Sequence, residues 1–352
     1  MLSLVLTSVI PLLMVFSFLW KARIMPVDNP QFMNKSSSDT LKGLCAMVVV
    51  MVHFPEAYQN TLQDAIGSFG YVAVTFFFLF SGYGMQWSLS NKHDYLKHFW
   101  RRRLVSLLLP QVLINIIFCM VQYLNTGAFQ MGTLLNVNNY VVVLLEYCML
   151  FFVVMAFCKV RHVKSSKWGL ALIIAVILAS SLLLYFLTIN SIDGRQGSMW
   201  CVERLGLIWG LLLFIFFDKI NAWMGKYTIT KLCLFGTLSI ILGLLYIKGY
   251  KNIFFWGGYL LKAVLGQSLV ITVLLLIRRL EIGNRITRLL GSISYEIYLS
   301  HVWVMSSLAH YFPDLSSGEF IILTYFITIL LSMAVHKVVI HLRPFFMKKA
   351  EV

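Results

Sequence analysis

Charge is scarce in this sequence. Asp, Glu, Lys and Arg make up only 12% of its 352 residues, hydrophobic residues 59%, and mean hydropathy is +0.81. So little charge cannot clothe a water-soluble globule of this size, which excludes the soluble classes. Acidic residues are scarcest, 14 against 29 basic, for a net charge of +15. In a soluble domain that excess would point to nucleic acid; here the placement of the charges gives another account, set out below. Cysteine is sparse as well. Cys45, Cys119, Cys148, Cys158, Cys201 and Cys233 show no CxxC and no Cys/His metal spacing, so no disulfide framework, metal site or redox cofactor is expected. They read as small buried hydrophobes. Internal repeats, low-complexity segments and a soluble domain are also missing.

Long apolar runs are what the chain does have. Eleven are long enough to span a bilayer, at about 1–20, 40–59, 66–89, 104–124, 140–158, 168–189, 199–217, 229–247, 253–277, 289–312 and 320–342. The expectation is an all-α, polytopic integral membrane bundle of about 11 transmembrane helices. The first run lacks a basic leader and a small-residue cleavage site, so 1–20 reads as a retained anchor helix. A polar linker at 21–39, with Pro26 and Pro30, leads to a membrane domain at 40–343 and a tail at 344–352. Ser38 or Asp39 is the expected N-cap of the second run.

The connections alternate in charge. Basic ones follow the odd-numbered runs: Lys21/Arg23/Lys35, Lys92/Lys97/Arg101/Arg102/Arg103, Lys159/Arg161/Lys164/Lys167, Lys219/Lys226 and Arg278/Arg279/Arg285/Arg288. The tail adds Arg343, Lys348 and Lys349. The other connections carry Asp64, Asp193, Asp314 and Glu319, with few cations beyond Arg195, Lys248 and Lys251. The positive-inside rule then predicts an outside N-terminus and a cytoplasmic C-terminus. The basic excess is thus a topology signal in contact with the lipid bilayer, and no nucleic-acid partner is implied.

Polar residues inside the runs stand out against this background. Lys42 and His53 are eleven residues apart, about three helical turns, about 20° of rotation and ~16 Å. They share one face, with Lys42 near the cytoplasmic edge and His53 near the midplane. An imidazole at that depth is costly and marks a functional site by default. Ser294, Tyr298 and His301 form a second polar stripe, from which Glu296 points away. Glu146, Glu203, Arg204, Lys262 and His336 are the other ionisable residues within runs, and Glu146 and Lys262 are candidates to pair with each other or with Arg204. Gly82 with Gly84, and Gly257 with Gly258, permit broken or closely packed helices. Each feature has a plainer alternative: interhelical hydrogen bonding for the histidines, snorkelling for Lys42, topology for Arg101–Arg103.

Four motifs recur in a familiar order. They are D-T-L-K-G at 39–43 with ten residues between Lys42 and His53, FFFLFSGYG at 76–84, the basic cluster Arg101–Arg103 ahead of Pro110, and GSISYEIYLSH at 291–301. Together they resemble the membrane acyltransferase-3 family over most of the chain. Lys42 stands where that family usually has arginine, and an arginine often found just before the proline is missing here.

The resemblance implies an acyl-CoA-dependent O-acyltransferase, most simply an O-acetyltransferase, acting on an extracytoplasmic sugar or surface polysaccharide at the cell membrane. His53 would be the general base, with Tyr298 and His301 beside it as further catalytic residues. Lys42, Arg101, Arg102 and Arg103 would hold the phosphates of acyl-CoA, and Glu146, Glu203, Arg204 and Lys262 would meet the acceptor. Acetyl and longer or acidic groups such as succinyl stay open at this point, as do the acceptor and the oligomeric state. A polysaccharide or lipid-linked sugar exporter would also use many spans and buried charges, but no two related halves with paired interrupted helices are visible. A non-catalytic subunit is the third reading.

Overall fold

Helix is the structure's answer to every one of the apolar runs. A computed structural model describes residues 2–25, 32–55, 61–160, 166–188 and 200–347. Expectations for Pro26, Pro30, Arg161, Lys164, Asp193, Arg195, Lys348 and Lys349 fall outside the described residues. In chain order the elements are α1 (Leu2–Leu19), β1 (Arg23–Ile24), α2 (Lys35–Val52), α3 (Thr61–Gly67), α4 (Gly70–Asn91), α5 (Phe99–Thr126), α6 (Met131–Leu134), α7 (Asn139–Val160) and α8 (Ser166–Thr188). Then come α9 (Leu205–Ile215), α10 (Phe217–Gly225), α11 (Thr228–Ile247), α12 (Lys262–Arg279), β2 (Leu280–Glu281), α13 (Arg285–Ser292), α14 (Ser294–Tyr311) and α15 (Ser317–Met347). The two short strands pair antiparallel, Arg23 opposite Glu281 and Ile24 opposite Leu280.

Among the described residues, seven helices are long and apolar enough to cross a membrane, or eight if α9 and α10, bent by 86° at their junction, form one span. The runs at 1–20, 40–59 and 289–312 also carry helix, but shorter or more polar than that measure requires. For α2 and α14 the reason is position: both pack among other helices, α2 against α4, α13 and α14. A helix enclosed by protein can carry Lys, His, Ser and Tyr that a lipid-facing helix cannot.

Several boundaries differ from expectation. α2 begins at Lys35, capped by Asn34, whose side chain accepts the Ser37 N–H at 2.8 Å, so Ser38 and Asp39 lie inside the first turns. It stops at Val52 with His53 as C-cap, because Pro55 disfavours helix for the residue before it. His53 therefore closes the helix and does not lie in its middle. The run at 289–312 breaks at Ile293, between α13 and α14. At 253–277 the chain makes a π-helical turn over Trp256–Leu261, containing Gly257 and Gly258, before α12 starts.

Glycine sets how close the central helices come. A Cβ on Gly43 of α2 would stand 2.8 Å from the Gly291 nitrogen of α13, and one on Gly291 would strike the Asp39 carbonyl. On the other side of the core, Gly206 and Gly210 of α9 meet the Thr75 and Leu79 carbonyls of α4, a small-xxx-small crossing, and Gly82 meets the Leu207 carbonyl. Gly84 has open space instead. Gly291→Ala must push α13 off α2, and overpacking of this kind costs about 1–3 kcal/mol. The variant should melt several degrees lower in detergent; an unchanged melting temperature would show that the crossing has room.

Candidate active site

α2 packs among α4, α13 and α14 and presents a cation, Lys42, near its middle and an imidazole at its end. Around Lys42 opens a cavity of about 400 Å³ between α2, α4, α5, α7 and α14. Lys92, Arg102, Arg103 and Arg343 also line it, so cations from α2, α5, the α4–α5 connection and α15 converge on one space. Lys42 is partly balanced by Asp39 at 3.2 Å and stands 5.5 Å from the Phe80 ring centroid. Arg103 donates to the Tyr95 hydroxyl at 3.2 Å and covers the Phe99 ring. Arg101 turns away, since successive helical residues differ by about 100° in direction. Its Nε donates to the Phe346 carbonyl at 2.6 Å, and it does not line the cavity. Ser294 and Tyr298 of α14 line the cavity too, with Tyr140 of α7, whose ring centroid lies 5.0 Å from that of Tyr298.

A row of rings leads from this cavity to the end of α2. The Tyr298 centroid is 5.8 Å from that of His301, and His301 is 4.9 Å from His53, edge to face. His53 Nδ1 lies 2.8 Å from the Val49 carbonyl and His301 Nδ1 3.2 Å from the Ile297 carbonyl. A carbonyl only accepts, so each Nδ1 is the donor, and in the neutral ring this arrangement leaves Nε2 with its lone pair. The two rings differ in surroundings. His53 is exposed, whereas His301 is buried and its Nε2 meets no hydrogen-bond partner among the described residues.

Residues 35–337 match the family model described as an acyltransferase domain, acyltransferase family 3. The chain belongs to the acyltransferase-3 family. No curated protein and no solved structure gives a significant match. The four quoted motifs all fall within the matched span, and this multi-helix membrane acyltransferase brings residues of all four around the same cavity: Lys42 of α2, the stretch of α4 beside it, Arg102 and Arg103 of α5, and Ser294 and Tyr298 of the GSISYEIYLSH segment.

The remaining expected site residues of the acyltransferase divide into two groups. Glu203, Arg204 and Lys262 gather at the His53 end of the bundle, the end where Gly70 of α4 meets Val52 of α2. Lys262 Nζ lies 2.7 Å from Glu203 Oε1, with both side chains largely buried, and 4.8 Å from the centroid of Tyr71, whose hydroxyl donates to the Lys262 carbonyl. Arg204 is buried, donates from Nε to the Trp200 carbonyl and faces the Tyr147 ring. Glu146 is not in this group. It is exposed on α7, so Lys262 takes Glu203 as its partner and not Glu146. Glu296, which the sequence set apart from the Ser294 stripe, pairs with His336 at 2.8 Å across α14 and α15.

Sequence reasoning treated Lys92 and Arg343 only as topology charges and passed over Tyr95 and Tyr140, though all four line the cavity. Nothing local distinguishes them; the basic-aromatic spacing of Tyr95 and Arg103, eight residues apart on a turn leading into a helix, is the nearest to a signal. Glu203 keeps a buried Oε2 without a hydrogen-bond partner among the described residues, so its charge depends heavily on Lys262. Lys262→Met should strand that carboxylate and cost about 3–5 kcal/mol. The Lys262→Met/Glu203→Gln double variant should recover most of the melting temperature. A double variant no more stable than the single would show that the pair is not what holds this end together.

Proposed function

We propose that this acyltransferase moves an acyl group, most simply acetyl, from cytoplasmic acyl-CoA to a hydroxyl of an extracytoplasmic sugar or surface polysaccharide. The observation that carries the reading is the unbroken row from a cation-lined cavity through Tyr298 and His301 to His53. The cavity end takes the cytoplasmic side because the basic connections favour it, with the N-terminus outside and the C-terminus inside. Lys42, Arg102 and Arg103 meet the phosphates of the CoA nucleotide, as cations at a membrane face do. The pantetheine arm is thin enough to follow the Tyr298 face toward His53.

In the chemical step the acceptor hydroxyl approaches from the opposite side, beside the exposed His53. Nε2 of His53 accepts the hydroxyl proton as the oxygen attacks the thioester carbon. The carbon–oxygen bond forms and the carbonyl becomes an oxyanion, toward which the Tyr298 hydroxyl is the nearest candidate donor. Collapse breaks the carbon–sulfur bond, and the thiolate leaves with the proton returned from His53 as free CoA thiol. The acyl group crosses to the outer side and CoA does not. Glu203, Arg204 and Lys262, at the His53 end, are placed to meet the acceptor's hydroxyls.

Inverted membrane vesicles supplied with acyl-labelled acetyl-CoA or succinyl-CoA test this directly. Expected are protein-dependent release of CoA thiol to the outside and label in a lumenal, hydrolase-protected glycan, more with the acetyl donor. A thioester left intact, as a transporter would leave it, overturns the reading. Label appearing only in right-side-out vesicles overturns the orientation.

A further inference from the structure

A second basic pocket lies away from the row of rings. It has a volume of about 420 Å³ and is walled by Lys21, Arg23, Arg285 and Arg288, with Trp20 at its rim and Glu281 as the lone acid lining it. All four cations are exposed, and among the described residues none is paired with a carboxylate. Like charges do not converge on one hollow without cost, so their arrangement asks for an anion.

The pocket is built, and its scaffold is specific. The β1–β2 ladder holds Arg23 against the end of α12, and Met25 N–H donates to the Arg279 carbonyl at 2.8 Å. Asn284 joins the start of α13 to the end of α1. Its Oδ1 accepts the Ile286 and Thr287 N–H groups at the start of α13, and its Nδ2 donates to the Ser17 carbonyl at 2.6 Å and the Trp20 carbonyl at 3.3 Å at the end of α1. Gly283 ahead of it has φ 129°, which only glycine adopts freely, and Lys21 turns the chain with φ 63°. Two apolar helices therefore end at this pocket, α1 at Trp20 and the candidate span of α12 at Arg279. A tryptophan with clustered cations where spans end marks headgroup depth.

We propose that this pocket binds the phosphate of an anionic phospholipid headgroup. Arg285 and Arg288, one turn apart on α13, and Arg23 with Lys21 from the facing ladder, supply the donors, and Trp20 lies along the acyl chains. The site bears on the reaction centre through packing: α13 is the helix whose Gly291 sits against Asp39 of α2. A bound headgroup thus ties α1 and α13 into the wall behind Lys42.

Native mass spectrometry and melting of the purified full-length protein in detergent test the proposal with three probes: phosphatidylglycerol, phosphatidylcholine and inorganic phosphate. The wild type should retain phosphatidylglycerol and melt higher with it, and respond weakly to phosphatidylcholine. Arg285→Gln/Arg288→Gln should weaken phosphatidylglycerol binding about tenfold to thirtyfold, with Arg23→Gln alone giving a smaller loss. Both should melt as wild type without lipid, since these side chains are exposed. Lys219→Gln, an exposed cation outside the pocket, should bind as wild type. Equal losses in Lys219→Gln would make the effect a diffuse surface charge and overturn the site. A matching response to inorganic phosphate would overturn the lipid assignment in favour of a free anion.

Discussion

His53→Gln should slow acyl transfer by on the order of a hundredfold to ten-thousandfold, the usual loss when a positioned base is removed. Glutamine keeps the size and can still donate to the Val49 carbonyl, so α2 should end as before. What it cannot do is take a proton at neutral pH. The variant should express and melt like wild type and bind donor with unchanged affinity, because Lys42 in the cation-lined cavity lies about three helical turns from His53 along α2. His301→Gln gives the comparison. His301 Nε2 is buried without a hydrogen-bond partner among the described residues and sits next to His53, so its loss should lower turnover less than that of His53 if it positions the base. Single-turnover release of CoA thiol from purified protein reads both. A His53→Gln enzyme working near the wild-type rate would make His53 a packing residue and move the base to His301.

Removing the cavity's arginines should act on donor binding instead. Arg102→Gln/Arg103→Gln is expected to raise the apparent KM for acyl-CoA by on the order of a hundredfold or more, since a hydrogen bond to a charged group contributes about 1.5–3 kcal/mol. Maximal turnover at saturating donor should change far less. Arg101→Gln is the control the geometry supplies: its guanidinium serves the Phe346 carbonyl, so donor KM should stay close to wild type. Lys42→Arg should keep appreciable activity because the charge is retained beside Asp39, whereas Lys42→Ala should weaken the donor. Equal KM effects from Arg101 and from the Arg102/Arg103 pair would mean that the cluster acts only as diffuse charge.

Sequence alone determined what local periodicity and composition can determine. Apolar runs placed the helices, because backbone groups away from water must be bonded within their own segment. The eleven-residue spacing put Lys42 and His53 on one face, since helical geometry fixes that relation whatever packs around it. Ser294, Tyr298 and His301 shared a stripe for the same reason. Even the stop at Val52 was legible in Pro55, although the run of apolar residues concealed it.

Tertiary structure decided every relation between helices. That His301 comes within ring contact of His53, that Lys262 takes Glu203 and leaves Glu146 exposed, and that Glu296 finds His336 depend on the rotation and crossing of helices far apart in the chain. Those crossings are fixed where glycines let backbones touch, Gly43 against Gly291 and Gly206 with Gly210 against α4. Arg101, Arg102 and Arg103 are equivalent as letters; only the position of α15 and the cavity beside α5 sends one outward and two in. Hydropathy and spacing are properties of one segment, whereas a site assembled from α2, α4, α5, α7 and α14 exists only once those segments have packed.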